Sequence, residues 1–318
     1  MRRVPLWVTI LPLIAGVGVY WYLWAGWARG FEAAIQPWLP GVPISATGFP
    51  YRLEAEVTNP SITRDGTVKL STSASRMRIN RGPWRPELTV VQAIDPRFSV
   101  VVSAAVSASV SGREAQVSIK VDDGRLARLS AVINAAEARL GFVPVPLTAD
   151  SLELHLRERD DTPAAGSPAP PPRGQFVVSG ERFRIGGGDA LTLAANTTVT
   201  GPARLTSYDN WATSGTLELT SLTLADAHGE VASAKATLVP RGRLGLRFAG
   251  TVTTVCPASV KAAFDGAPAP SEKRLRMPVR LAFSGVPGAM LLEGMPADLA
   301  TRPVKAQMPA CPVLRGVR

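Results

Sequence analysis

The chain has 318 residues, a formal net charge of +10 and only two cysteines, and 29 of its 35 basic residues are arginine. This composition excludes a cysteine-rich disulfide scaffold, and two histidines with two cysteines give no zinc-ligand spacing. The positive charge fits a surface that attracts anionic lipid head groups or other polyanions, or alternatively an arginine-rich composition on solvated strand faces.

Residues 4–27 form an uninterrupted apolar stretch directly after Arg2 and Arg3. As a helix this stretch is roughly 36 Å long, which is enough to cross a ~30 Å hydrocarbon core. A cleaved signal peptide has a shorter apolar region, and here the far end carries the Tyr and Trp residues typical of a membrane interface. The sequence therefore favours an uncleaved anchor, with residues 1–3 in the cytoplasm and the remainder exported.

Residues 28–47 are predicted to connect this anchor to the exported region. The helix can continue for one or two turns before Pro37, and the prolines that follow favour an extended path. From residue 48 to residue 159, apolar and polar side chains alternate with a period of two, which predicts half-buried strands. Residues 125–140 are the best candidate for a helix outside the anchor.

The longest alternation covers residues 98–110 and predicts one long, curved strand. Its apolar side includes Phe98, Val100, Val102 and Val106, and serines occupy most of the other side.

Residues 160–174 are rich in proline and alanine and are predicted to be a linker between two domains or a loop inserted in one sheet. Strand patterns resume in a second exported β region, residues 175–318, which includes a short helix at 257–264 and ends in a coil-rich tail. Cys256 and Cys311 are predicted disulfide partners in an oxidising compartment, with two independent buried thiols as the alternative.

About a dozen amphipathic strands with few helices predict a mainly β fold. Long antiparallel strands form a curved sheet, a sandwich or a half-barrel, with one N-terminal transmembrane helix and one or two short helices. The apolar side of such strands must be covered by curling of the sheet, by a second sheet, or by another molecule in an open groove.

Three stretches carry a family resemblance: GFPYRLEAEVTNP from Gly48, GPWRPELTV from Gly82 and PRGRLGLRFAG from Pro240. Together with the single anchor, they resemble an uncharacterised bacterial envelope family, domain of unknown function 2125, as far as about residue 295. The resemblance implies a protein attached to the bacterial inner membrane with a periplasmic domain, and it implies no activity, ligand or catalytic residue. The layout is also similar to AsmA-like proteins, which guide lipids along a β-groove.

No nucleophile elbow, phosphate-binding loop or metal-ligand set is present, so no enzyme activity, cofactor or metal is predicted. Phe49 and Tyr51 are expected either to plug one end of the sheet or to line the mouth of an apolar groove near the membrane. The leading hypothesis is a non-enzymatic envelope protein that binds or guides lipid on the apolar side of the sheet. The alternative is a structural or protein-interaction module with a closed core. Expected partners are the inner membrane, lipid or an anionic envelope polymer, and envelope proteins, but not nucleic acid.

Overall fold

A computed structural model describes residues 6–103, 106–159, 170–201, 208–241, 245–297 and 307–316. Within these ranges the chain forms three helices and seventeen strands, and the fold is mainly β, as predicted. The helices are α1 (Leu6–Ile35), α2 (Tyr208–Ser214) and α3 (Pro257–Asp265). The strands are β1 (Leu53–Thr58), β2 (Ser61–Arg64), β3 (Lys69–Ser73), β4 (Arg76–Gly82), β5 (Arg85–Ile94), β6 (Arg97–Val101), β7 (Ser107–Ser111), β8 (Glu114–Asp122), β9 (Arg125–Leu140), β10 (Leu147–Glu158), β11 (Pro172–Ile185), β12 (Leu191–Thr200), β13 (Thr216–Asp226), β14 (Gly229–Arg241), β15 (Gly245–Thr254), β16 (Val279–Val286) and β17 (Ala289–Glu293).

All the strands belong to one open antiparallel sheet. The order of neighbouring strands in its main part is β1–β4–β5–β8–β9, followed by the consecutive strands β10 to β17. A branch β2–β3–β6–β7 joins the C-terminal part of β9. Each pair β1/β2, β3/β4, β5/β6 and β7/β8 is one continuous path interrupted near its middle, so the topology is a simple meander of long strands.

The interruptions align across neighbouring strands and form a crease. Four residues along it adopt left-handed backbone conformations with φ of 48–51°: Asn59, Asp95, Ala135 and Arg182. Backbone hydrogen bonds follow the crease from Asn59 to Ser75, Ser75 to Ile94, Asp95 to Arg113 and Arg113 to Asn134. An extra residue in a strand bends the strand and shifts its side-chain alternation. The crease therefore divides the sheet into two parts, and the apolar residues of both parts lie on the same side of the sheet.

The helix predicted at residues 125–140 is wrong, because this segment is β9, the longest strand described. Leu129 and Ile133 lie four residues apart on one face of the sheet, and Ala136 follows them on that face. The irregular residue Ala135 lies between the last two and shifts the alternation by one position. A strand with one bulge therefore carries an apolar spacing that imitates a helix.

The single long strand predicted at residues 98–110 is also wrong, because the segment forms the β6–β7 hairpin. The amide groups of Val102 and Ser103 donate to the carbonyl of Val106 at 2.9 and 3.2 Å and close the turn. Phe98 pairs with Val110 across the hairpin. The alternation of small residues continues without Gly or Pro, so nothing in the sequence marks this turn.

Two other predictions, the end of α1 before Pro37 and the short helix at residues 257–264, are confirmed. Helix α1 continues past the apolar stretch and ends at Ile35, two residues before Pro37. A short helix begins at Pro257, with the N-terminal amides of Ala258 and Ser259 donating to Glu272. The proline- and alanine-rich linker lies mainly outside the described residues, and β10 and β11 on either side of it pair directly.

The sheet is strongly curved. Phe142, in the β9–β10 loop, contacts Phe248 on β15, with 5.3 Å between the ring centroids. Six strand spacings separate β9 from β15, which in a flat sheet corresponds to about 29 Å. The contact therefore requires the sheet to coil toward its apolar side, and Phe248 is buried there.

Candidate functional site

One side of the sheet carries uninterrupted cross-strand rows of mainly apolar residues, which we call the apolar face. Directly paired residues of antiparallel strands point to the same side of a sheet, so the strand register defines the rows. One row contains Ala55, Ile79, Val91, Val117, Ala131, Leu154, Val178, Ala195, Leu222, Ala234, Val252 and Leu281. The next row contains Leu53, Arg81, Thr89, Ile119, Leu129, Leu156, Phe176, Thr197, Leu219, Ala236, Gly250 and Phe283.

The opposite side of the sheet is polar and carries several ion pairs. Arg78 contacts Glu54 and Glu56 at 3.3 and 3.1 Å, and Arg76 contacts Glu56 at 3.5 Å. His155 lies on this side, 46% exposed and 3.8 Å from Glu153. Ion pairs this exposed contribute little to stability, and they keep this side of the sheet in water.

The apolar face is covered at its C-terminal end. Val260 of α3 and Leu314 of the C-terminal segment join the buried cluster around Leu281, which is 0% exposed. The Sγ atoms of Cys256 and Cys311 lie 2.04 Å apart in a disulfide, which attaches this segment to the start of α3. Glu272 lies beside the two sulfur atoms, but its carboxylate accepts hydrogen bonds from the N-terminal turn of α3.

The apolar face is covered at its N-terminal end by α1 itself. Phe31, Ile35 and Leu39 are at most 7% exposed and pack on the buried residues of β1 and β4. Residues 24, 27, 28, 31 and 35 form the helical stripe that makes this contact. Residues 10–19 and 21–23 of α1 are exposed and mainly apolar, and residues 10–35 are long and apolar enough to span a membrane. The apolar helix α1 and the apolar face are therefore contiguous.

Between the two covered ends, the apolar face is only partly buried. Side chains of intermediate exposure include Leu129 on β9, Leu154 on β10, Phe176 on β11 and Leu219 on β13. Removing apolar surface from water yields about 25 cal/mol per Å². This central region therefore offers binding energy to an apolar ligand.

Five aromatic rings surround the junction between α1 and the sheet, and we call them the aromatic collar: Tyr20, Trp24, Trp27, Phe49 and Trp84. Phe49 lies 5.8 Å from Tyr20 and 5.5 Å from Trp24, measured between ring centroids. Trp84 lies 6.3 Å from both Tyr20 and Trp27. Trp and Tyr rings concentrate at the membrane–water interface, which places the bilayer surface at the collar when α1 spans a membrane.

Hydrogen bonds fix the collar to the segment before β1. The Tyr20 hydroxyl donates to the carbonyl of Pro50, and the Trp24 indole N–H donates to the carbonyl of Arg52 at 3.3 Å. Loss of these two hydrogen bonds would allow α1 to tilt against the sheet. These specific contacts therefore set the orientation of α1 against the sheet.

Arg81 is the charged residue within the second apolar row. Its Nε and Nη2 groups donate to the Thr89 hydroxyl at 3.1 and 3.0 Å, and its guanidinium lies 5.5 Å from the Phe31 ring centroid. Burial lowers the pKa of Arg81 below its ordinary value, and guanidinium remains cationic in proteins. The cation therefore lies where the helix, the collar and the apolar face meet.

The residues predicted as a groove or plug lie in two places. Phe49 belongs to the collar and is 43% exposed, and the neighbouring Tyr51 is 77% exposed. Phe98 and Val100 lie on the same side as Val110, which is partly buried against the core, and they lie beyond the crease. The remaining two, Val102 and Val106, form the turn of the β6–β7 hairpin.

The helical stripe and Arg81 were not predicted. The spacing of Trp24, Trp27, Phe31 and Ile35 marks one face of a helix, but it merges with an apolar stretch that reads as a membrane span. Arg81 continues the inward alternation of Met77 and Ile79 in β4, so the period of two was the signal that could have found it.

A model of the family described as "Uncharacterized protein conserved in bacteria (DUF2125)" matches residues 42–253. The match begins in the segment before the collar residue Phe49 and ends within β15, so it contains most of the apolar face. No curated protein and no solved structure matches the chain significantly.

Proposed function

Since the chain belongs to the DUF2125 family of uncharacterised bacterial proteins, we propose its role from the site: a membrane-anchored, non-enzymatic protein that holds lipid acyl chains on the apolar face. The observation that carries the proposal is the contact between the membrane helix and that face. Phe31 and Ile35 of α1 pack on the same rows that continue, partly uncovered, through Leu154 and Phe176. A lipid leaving the bilayer along α1 meets apolar surface without crossing water.

The proposal includes an orientation and a place. Arg2 and Arg3 precede the apolar helix, and the positive-inside rule then puts the N-terminus in the cytoplasm and the sheet on the other side of the inner membrane. A disulfide between Cys256 and Cys311 suits that oxidising side. A reporter fused after residue 60 that is active only outside the cytoplasm tests this orientation, and activity inside contradicts it.

The lipid assignment is tested by purifying the full chain in mild detergent and extracting it for lipid mass spectrometry. We expect co-purified phospholipid from the unmodified chain and several-fold less from Phe176→Glu, because that substitution places a charge on the open part of the apolar face. Gln175→Glu is the matched control, since Gln175 is the neighbouring residue on the opposite side. Absence of lipid from all three proteins contradicts the proposal.

A second candidate is an interaction module of envelope assembly whose apolar face is closed by the chain itself or by a protein. It is favoured by the complete burial of Leu281 and Cys256 under α3 and the C-terminal segment. Crosslinking in intact cells distinguishes the two candidates, because this module yields discrete protein adducts at Leu154 and a lipid-binding face yields lipid adducts. The likeness to AsmA-like proteins remains a prediction from layout.

A further inference from the structure

Arg81 occupies an unusual position for a basic residue. It pairs with Leu53 on one side and Thr89 on the other, so it points to the apolar face rather than to the polar side. The neighbouring Arg78 points to the polar side and is matched by two glutamates. In the part of the chain that the structure describes, no carboxylate forms an ion pair with Arg81.

A half-buried cation without an anion is costly, because desolvation is not repaid by charge pairing. The buried Arg274 shows the usual solution, since its guanidinium contacts the carboxylate of Asp226. The Arg81 guanidinium instead has a neutral hydroxyl and an aromatic ring as neighbours. Its Nη1 group has no hydrogen-bond partner among the described residues, so donors remain available to a ligand.

The position of Arg81 relative to the lipid head groups follows from its neighbours. Three residues after it, Trp84 lies in the β4–β5 turn and contacts Tyr20 and Trp27 of α1. These rings belong to the aromatic collar, and interfacial aromatic rings lie at the level of the lipid head groups. Arg81 is therefore near the phosphate level, at the point where the apolar face begins.

We propose that Arg81 binds the phosphate of an anionic phospholipid whose acyl chains lie on the apolar face. The inference rests on the proposed function and adds a head-group site to it. Guanidinium donates paired hydrogen bonds that match phosphate oxygens. The Thr89 hydroxyl holds the Nε edge of Arg81, which directs the remaining donors toward the ligand.

The experiment uses the full chain in detergent and measures binding of phosphatidylglycerol, diacylglycerol and inorganic phosphate by native mass spectrometry. The test variants are Arg81→Met, which keeps length and apolar packing, and Arg81→Lys, which keeps the charge. Arg85→Met is the control, because Arg85 is an exposed arginine at the start of β5, one residue after Trp84. We expect phosphatidylglycerol binding to fall about tenfold in Arg81→Met, to fall less in Arg81→Lys and to stay unchanged in Arg85→Met.

Diacylglycerol lacks the phosphate, and we expect all four proteins to bind it equally. Unchanged phosphatidylglycerol binding by Arg81→Met, with diacylglycerol binding intact, overturns the head-group site and leaves the proposed function standing. Inorganic phosphate binding as tight as that of phosphatidylglycerol overturns the assignment to a lipid. Failure of every protein to bind either lipid overturns the proposed function. Circular dichroism identifies any variant that does not fold, and Arg81→Lys then provides the comparison.

Discussion

Replacing Phe31 with alanine should detach the end of α1 from the sheet. Phe31 is 1% exposed and packs among the buried residues of β1 and β4. Truncating a buried Phe to Ala lowers stability by about 3–5 kcal/mol. Loss of the cation–π contact between the Phe31 ring and Arg81 lowers it by about 0.5–1 kcal/mol more. The exposed apolar part of α1 is unaffected, because Phe31 follows the collar residues Tyr20, Trp24 and Trp27 in the helix.

Hydrogen exchange of the full chain in detergent measures this loss directly. Since 1.4 kcal/mol corresponds to a factor of ten, a loss of about 3 kcal/mol should speed exchange of the Ala55 and Val57 amides by about a hundredfold, while amides near Leu281 keep their protection. Leu23→Ala is the control, because Leu23 lies on the same helix and is 47% exposed. Equal protection of β1 in both variants refutes the packing of α1 on the sheet.

Three further predictions concern the rest of the fold. Replacing Cys256 and Cys311 with serine should lower the free energy of unfolding by about 4 kcal/mol, because the disulfide closes a loop with a sequence separation of 55. Alkylation of these cysteines in the unmodified chain without reductant contradicts the bond. Asp226→Asn should cost about 3–5 kcal/mol in denaturant unfolding, because it leaves the buried Arg274 without its anion; a loss below about 1 kcal/mol contradicts that pairing. Gly250→Val should abolish or strongly reduce folded protein in a thermal melt, since a Cβ there lies 2.3 Å from the Lys235 carbonyl oxygen; a wild-type melting temperature contradicts the close approach.

The sequence predicts the class of the fold well, because side-chain alternation is a local property of each strand. Residues 52–58 alternate strictly, and β1 appears there from Leu53. The short helix at Pro257 and the end of α1 before Pro37 also follow from local rules about proline. One-sided apolar strands in turn require a covered face, and the sheet has one.

The crease is the physical cause of the wrong helix at residues 125–140, whereas the wrong strand at residues 98–110 comes from a hairpin turn without Gly or Pro. Ala135 shifts the alternation within β9, so the apolar spacing across it resembles that of a helix. Asn59 and Asp95 divide other strands in the same way, and their left-handed conformations are common for Asn and Asp but not diagnostic. A bulge depends on the partner strand that accepts it, so its position along one strand is not encoded locally.

The site was predicted only in outline, because it is defined by pairing across the sheet. The expected residues Phe98 and Val100 lie beyond the crease, where Phe98 is 44% exposed, and they do not form the centre of the apolar face. The central residues Phe176 and Leu219 come from strands far apart in the sequence. Their common face becomes visible only from the register, whereas the inward position of Arg81 already follows from its alternation with Met77 and Ile79.

Site-specific photo-crosslinking in living cells tests the central claim most directly. A photoreactive residue is placed at Leu154 or Leu219 on the apolar face, and at His155 or Glu218 on the opposite side. The proposal predicts phospholipid adducts at Leu154 and Leu219 and none at their neighbours, because only one side of the sheet faces acyl chains. Lipid adducts at neither apolar position, or equally at all four, contradict it.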